Sequence, residues 1–388
     1  MKFCSLSAMF FFSIAVSANA IEAPNVSKVS FFAIGDVLVH SALYENCEKD
    51  SSQCVFNRFF DAWKADIDSA DYACANQETV FVPRSAGYSS YPAFGTPEEV
   101  GVAETNAGFN IITHATNHSM DRGAANIDYT LDFWKDKPVF VLGIHSSIED
   151  QNAIRYDVKK GIKFAFLNFT YGLNGHVMPK GRPYLVDMLD SDGVWLKRIR
   201  EADENAEVVV AFLHTGTEYT YQPTPEARQT VAKAVDAGAD IVVCAHPHVL
   251  EPFGVLETKK GNRALVFWSL GNYISNQYRL GTVLGSAAKF EVQKTVMENG
   301  ESYVEVTKAS LEGSVTHFDR NGHSAIPLRV YDESKFATHE WKSKIQGFSL
   351  KAIKGLYQKI LDGYAESGVK KAESALPFRI VPTNRTKK

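Results

Sequence analysis

Residues 239–252 read ADIVVCAHPHVLEP. The apolar run at 241–243 has no alternation, which fits a strand buried on both faces. Just upstream, Thr224-Pro225-Glu226 opens a helix: an N-cap threonine, proline at the first helical position and an acid in the first turn. Gly238 closes it. A helix feeding directly into a buried strand is the repeating unit of an α/β fold. The strand then ends in two histidines, His246 and His248, with Pro247 between them expected to confine His246 to an extended backbone. Two exposed imidazoles would be the plain outcome, and a pair of metal ligands the other. The rest of the chain decides between them.

The same pairing recurs. KVSFFAI (28–34), DYACAN (71–76), FNIITHAT (109–116), KFAFLNFT (163–170), AEVVVAFL (206–213) and ALVFWSL (264–270) also read as strands. Thr96-Pro97-Glu98-Glu99 reads as a second capped helix start, with Gly108 after its end. The pattern predicts an α/β fold with covered, largely parallel or mixed sheets. Past residue 325 the spacing becomes helical, with Phe336, Trp341, Ile345, Phe348, Ile353, Leu356, Ile360 and Leu361 as the apolar positions, predicting one or two C-terminal helices. Three segments follow: 1–20, 21–325 as the main domain, and 326–388 as a helical extension with a basic tail, NRTKK, expected to be disordered.

The first twenty residues, MKFCSLSAMFFFSIAVSANA, carry a basic Lys2, a short apolar stretch and Ala18-Asn19-Ala20 as a small-residue cleavage site. They read as a cleavable secretion signal, with Ile21 as the mature N-terminus and a periplasmic or extracellular destination. The alternative is an uncleaved N-terminal anchor. Without Lys2 the chain keeps 40 basic against 45 acidic residues, so no basic face for nucleic acid is expected. In an oxidising compartment Cys47 and Cys54 are candidates for a local disulfide, while Cys74 and Cys244 read as free buried thiols.

The polar residues fall in a pattern. The first strand leads to Asp36 and His40, the second to Asn76 and Glu78, and the third to Asn117 and His118. The 206–213 run leads to His214, the 239–245 run to His246 and His248, and the last to Asn272. Ligands of open α/β sheets gather at the carboxyl ends of strands. Seven metal-capable side chains therefore meet one edge: Asp36, His40, Glu78, Asn117, His214, His246 and His248. Oxygen and imidazole donors without thiolate suit manganese, iron or zinc. Seven exceed the need of one tetrahedral ion and fit two ions sharing a carboxylate.

Taken singly, each donor has a plainer role. Asp36 would be a turn former, Glu78 a solvated loop carboxylate, Asn117 the cap of a helix starting near Ser119, and His214 a core histidine. Jointly these roles would require five strands to end in metal-type donors by accident. His114 reads as structural, and His145, His176, His317, His323 and His339 as surface or packing residues. Tyr88–Pro92 and Tyr219–Tyr221 read as packing, or as aromatic lining of a pocket.

The ordered set GDVLVH, NQETVF, ATNHSMDRG, FLHTGTEY, AHPHVLEP and SLGNYISNQ, spanning about residues 29–290, resembles the bacterial capsule-synthesis CapA family. That family is associated with poly-γ-glutamate synthesis and export and is related to calcineurin-like metallophosphoesterases. The resemblance implies a four-layer α/β/β/α sandwich with two divalent ions between the sheets. Asp36, His40, Glu78 and His248 would hold one, and Glu78, Asn117, His214 and His246 the other. His118 would be a general acid oriented by Asp121, with Asn76 and Asn272 steadying ligands through hydrogen bonds. The implied partners are an anionic surface polymer or its precursor and membrane-bound capsule synthase or export subunits. The implied function is a metal-dependent hydrolase in capsule synthesis or export. A non-catalytic accessory subunit and a secreted metallophosphodiesterase are the alternatives.

Overall fold

A computed structural model describes residues 25–381, so the expected secretion signal and the basic tail lie outside the described residues. Two mixed sheets form the frame. The larger runs in spatial order β16 (Gly322–Pro327), β15 (Ser302–Asp319), β14 (Leu284–Val296), β1 (Asn25–Val37), β2 (Tyr72–Gln77), β5 (Ile111–Thr113) and β6 (Phe140–Leu142). Beside it, β13 (Asn272–Ile274) pairs with β1 and β17 (Phe378–Arg379) with β15. The smaller runs β11 (Phe253–Glu257), β12 (Arg263–Phe267), β10 (Ile241–Ala245), β9 (Val208–His214), β8 (Ile162–Thr170) and β7 (Arg155–Lys159). A short pair, β3 (Phe81–Val82) and β4 (Thr96–Pro97), stands apart.

Side-chain alternation along the strands stacks these sheets. Phe31 and Ala33 of β1 share one buried cluster with Phe164 and Phe166 of β8, Val210 of β9 and Val243 of β10. The rings of Phe31 and Phe164 lie 5.4 Å apart, joining the sheets face to face. The intervening residues point outward. Phe32 and Ile34 meet Tyr44, Trp63, Val100 and Ala103 on one side. Val209, Ala211 and Cys244 meet Ile199, Ala202, Val231 and Ala234 on the other. The order is helix, sheet, sheet, helix, the four-layer sandwich expected. Because neighbouring residues face opposite layers and both are covered, the strands read as continuous apolar runs.

The helix Pro225–Ala237 is built as its sequence predicts: Thr224 Oγ1 accepts from Ala227 N at 3.3 Å, and Gly238 ends it in the left-handed region at φ 118°. The other start needs correction. Thr96-Pro97 is the strand β4, and the helix Glu99–Ala107 begins later, with Glu98 at its N-cap position. Pairing with Phe81 and Val82 takes up the Thr-Pro segment before a helix can form. Its expected end holds, with Gly108 at φ 106°. Cys47 and Cys54 are bonded, and Cys74 and Cys244 are free and buried. The C-terminal segment forms Glu333–Thr338 and Leu350–Asp362. Its expected apolar positions join the central cluster, and β17 then rejoins the large sheet.

One glycine sets the register where β1 ends. The β1–β2 pairing shifts between Ile34 and Asp36, and Asp36 N donates to Gly271 O at 3.0 Å. A Cβ on Gly35 would stand 2.0 Å from that same Gly271 oxygen. Backbone cannot swing aside as a side chain can. Gly35→Ala is therefore expected to cost about 3 kcal/mol, the upper end of overpacking, read as a lower urea midpoint with an unchanged m-value.

Candidate metal centre

The strand ends deliver their side chains to one edge between the sheets. Asp36 is in register with Asn76 on one flank and Asn272 on the other. Asn76 Nδ2 donates to Asp36 Oδ1 at 2.8 Å. The second oxygen of Asp36 lies 3.1 Å from His248 Nδ1, which is also 3.1 Å from Asn272 Oδ1. Both acceptors converge on Nδ1, so His248 is held by that nitrogen and Nε2 faces Glu78 Oε1 at 3.9 Å. Glu78 follows β2 directly, His214 ends β9, and His246 follows β10.

Donor atoms of Asp36, Glu78 and His248 lie within 4.8 Å of one another, as do those of Glu78, His214 and His246. All five residues are buried. Glu78 is common to both groups. Asn117 Oδ1 lies 2.8 Å from His214 Nε2, which places it beside the second.

The electrostatics fit cations. Both carboxylate oxygens of Glu78 are buried with no hydrogen-bond partner among the described residues, and Nδ1 of His214 and of His246 is in the same position. Leaving a buried carboxylate so exposed to low dielectric is costly unless a positive charge completes it. Burial, reinforced by the Asp36 charge, holds Glu78 well above the usual carboxylate range. Burial and neighbouring histidines hold His214 well below its ordinary value and His246 down at about 3. Both are neutral at neutral pH, the form that binds metal. Burial also pulls on His248, but Glu78 and Asp36 outweigh it and lift it to about 9. The donor set thus fits divalent cations.

The backbone of the histidine pair differs from expectation. His246 is not extended: its φ is 106°, and that of His248 is 59°. Two non-glycine residues in the left-handed region within three positions store backbone strain of order 1–3 kcal/mol each. The surroundings impose it, since Tyr219 N donates to Pro247 O at 2.8 Å and Thr215 N to Ala245 O at 3.0 Å. The chain is pulled against the 215–219 loop, which turns both imidazoles inward.

His118 and Asp121 form a second unit. His118 Nδ1 lies 2.6 Å from Asp121 Oδ2, which also accepts from Phe94 N at 2.8 Å. The Phe94 ring meets His118 edge-on at 4.8 Å. Asn174, absent from the sequence-derived set, lies 3.3 Å from His118 Nδ1 and accepts from Asn117 Nδ2 at 3.1 Å. The helix expected near Ser119 begins at Ala124, so Asn117 caps no helix.

Among the described residues His40 joins neither donor group. It stands at the N-cap of the helix Ser41–Lys49, with Nδ1 3.1 Å from Leu38 O and its ring edge-on to Phe94 at 5.1 Å. The turn at Leu38 and Val39 engages that nitrogen with the chain's own backbone.

Glu218 is the residue that reasoning from strand ends misses. Its carboxylate forms a third group with His246 and His248, again within 4.8 Å, and it is exposed. The available signal was its place in FLHTGTEY, four residues past His214.

A family model described as "Bacterial capsule synthesis protein PGA_cap" matches residues 30–277. The chain belongs to this family. The match contains every residue of the site above, from Asp36 to Asn272. Within the family, the chain is 28% identical over 297 residues to the capsule biosynthesis protein CapA of Bacillus anthracis, covering 74% of this chain and 69% of that one. It is 28% identical over 316 residues to the PGA biosynthesis protein CapA of Bacillus subtilis (strain 168), covering 80% and 75%. Among solved structures, a putative 5'-nucleotidase from Staphylococcus aureus in complex with alpha-ketoglutarate aligns at TM-score 0.47 and 15% identity, over 86% of this chain and 58% of that one. The NAD nucleotidase of Haemophilus influenzae aligns at TM-score 0.42 and 12% identity, over 88% and 61%.

Proposed function

We propose that this capsule-synthesis protein is an extracytoplasmic metal-dependent hydrolase or transferase acting on an anionic surface polymer, such as poly-γ-glutamate, or on its precursor. Glu78 carries the reading: a buried carboxylate with no hydrogen-bond partner at either oxygen among the described residues, shared by two three-donor groups. Two divalent ions of manganese, iron or zinc, when bound, would supply Lewis-acid polarisation of an acyl or phosphoryl oxygen and acidification of a water.

The chain's own residues do the rest. Glu78 would donate to both positions, and Asp36 with Asn272 fixes the ring of His248. Asp121 engages His118 through Nδ1, leaving Nε2 to hand a proton to a leaving oxygen or nitrogen. An expected secretion signal and the Cys47–Cys54 disulfide support an oxidising location outside the cytoplasm. Membrane-bound synthase or export subunits are the partners such a location would offer.

The test is metal content of the purified protein by mass spectrometry after incubation with each ion. About two ions per chain are expected, and His246→Ala and His248→Ala should each lower the number while circular dichroism stays unchanged. Failure of the wild type to hold any of the three metals would sink the reading.

A further inference from the structure

Glu218 reaches the metal centre without a part in the two donor groups that share Glu78. One of its carboxylate oxygens lies within 4.8 Å of a ring nitrogen of His246 and of one of His248. Among the described residues the ion pairs of His248 go to Asp36 and Glu78, and none joins Glu218 to either imidazole. A gap of this kind is too wide for a direct hydrogen bond. It does suit an atom held between the three donors. Two donors across one ion, with bonds of about 2.1 Å, stand about 4.2 Å apart at most. A small rotation of the exposed glutamate side chain covers the difference.

The segment that carries Glu218 is fixed to the histidine pair. Thr215 N donates to Ala245 O at 3.0 Å, Tyr219 N to Pro247 O at 2.8 Å, and Thr220 Oγ1 to Glu251 Oε1 at 3.3 Å. The loop is therefore bound before, between and after the two histidines. Gly216 has φ 127°, and a Cβ there would stand 2.9 Å from the Pro247 ring. Five non-glycine residues among the described ones have positive φ, and Tyr219, His246 and His248 are three of them. Strain of this sort gathers where the surroundings hold a functional geometry. Here it holds the loop, and Glu218 with it, over the two imidazoles.

Charge points the same way. Two divalent ions bring four positive charges, and the buried carboxylates Asp36 and Glu78 offset two. The positive charge left over draws a further anion. Glu78 meets the histidines from the interior, and Glu218 meets them from solvent. His246 belongs to one Glu78 group and His248 to the other, so Glu218 reaches both halves of the centre.

We propose that Glu218 is a further metal ligand, closing the centre from the solvent side across His246 and His248. The proposal rests on the two-ion reading above.

The experiment titrates metal-free wild type, Glu218→Ala, Glu218→Gln and Glu226→Ala with manganese and with zinc, in competition with a chelator of known affinity. The visible spectrum of each protein loaded with cobalt(II) is a second readout. Glu226 is an exposed residue in the first turn of the helix Pro225–Ala237, so its variant reads the loss of a surface charge alone. Glu218→Ala should bind its weaker ion more than about 100-fold less tightly, beyond the roughly 10- to 100-fold typical of a group that only orients a ligand. Its cobalt bands should shift, because they report the number and type of donors. Glu218→Gln, which keeps the shape and a neutral oxygen, should fall between. Glu226→Ala should match wild type in both readouts, with circular dichroism the same throughout.

An affinity in Glu218→Ala equal to that of wild type overturns the proposal. So does a loss shared by Glu226→Ala, or a loss with unaltered cobalt bands, which would leave Glu218 a source of field only. Two ions per wild-type chain with both Glu218 variants unaffected removes this ligand and leaves the two-ion reading standing. A wild type that takes up no metal removes both.

Discussion

Glu78→Gln is expected to abolish turnover and to move the stability of metal-free and metal-loaded protein in opposite directions. Glutamine keeps the shape but cannot carry the charge two cations would share, so activity should fall by roughly 10^3-fold or more. Without metal the same change should stabilise. The folded-state pKa of Glu78 is raised by burial. A raised carboxyl leaves folding unpenalised below its unfolded value and costs stability as pH rises from there towards the folded one. Glutamine escapes that loss. The metal-free variant should therefore melt about 2–5 °C above metal-free wild type at pH 8, with the gap narrowing towards pH 5. With metal the order should reverse, because ligand stabilisation grows with affinity. Scanning calorimetry of both proteins with and without chelator reads all of this. A variant that keeps two ions, or a gap without pH dependence, would show that Glu78 has another partner.

Acid should weaken the fold well before its carboxylates are neutralised. His317, His323 and His339 pack together with Phe318, Trp341 and Phe348 where β15, β16 and the C-terminal segment meet. Burial, helped by neighbouring positive groups, holds His323 at about 3 and His339 at about 4, with His317 lowered in the same sense. His114, whose Nε2 accepts from the Trp134 indole at 2.9 Å, is held by burial at about 3. A depressed histidine contributes stability above its unfolded pKa and loses it as pH falls towards the folded one. At pH 5 the unfolded chain takes up protons that the folded one refuses, at about 2 kcal/mol for each of His114, His323 and His339. The sum approaches the whole stability of an ordinary protein. Urea midpoints should fall between pH 6.5 and 5, and His323→Gln should lessen that fall by its own share, about 1.5 kcal/mol. A flat profile over this window would mean that water reaches these rings.

Much of this was legible because the strands that carry the site are buried on both faces. Runs such as FNIITHAT and ADIVVCA announce themselves, and the polar residues after them therefore stand out. The strands β14, β15 and β16 were not recognised. In LGSAAKFEVQKTV, residues 284–296, charges alternate with apolar residues because part of one face is solvated, and a search for unbroken runs passes over it. Period-two alternation would have found it. The conformation of His246 lay beyond sequence because proline favours the opposite, and a contact from the distant 215–219 loop overrides it. Glu218 was hidden for a related reason: it comes from a loop tip folded back over the histidines, and not from a strand end.

The pairing of β1 has a consequence for how the chain is made. β1 lies between β2 and β14, and Asn25 faces Val296 across the β1–β14 ladder. Every donor of the metal centre has left the ribosome before β14 has begun to appear. At ordinary synthesis rates, β1 waits on the order of 10–50 s with one apolar edge unpaired. An unpaired apolar edge of that kind is a template for pairing with another chain. The stretch 30–277 thus contains every donor of the candidate site but not β14, which pairs with β1 from Asn25 to Ile34.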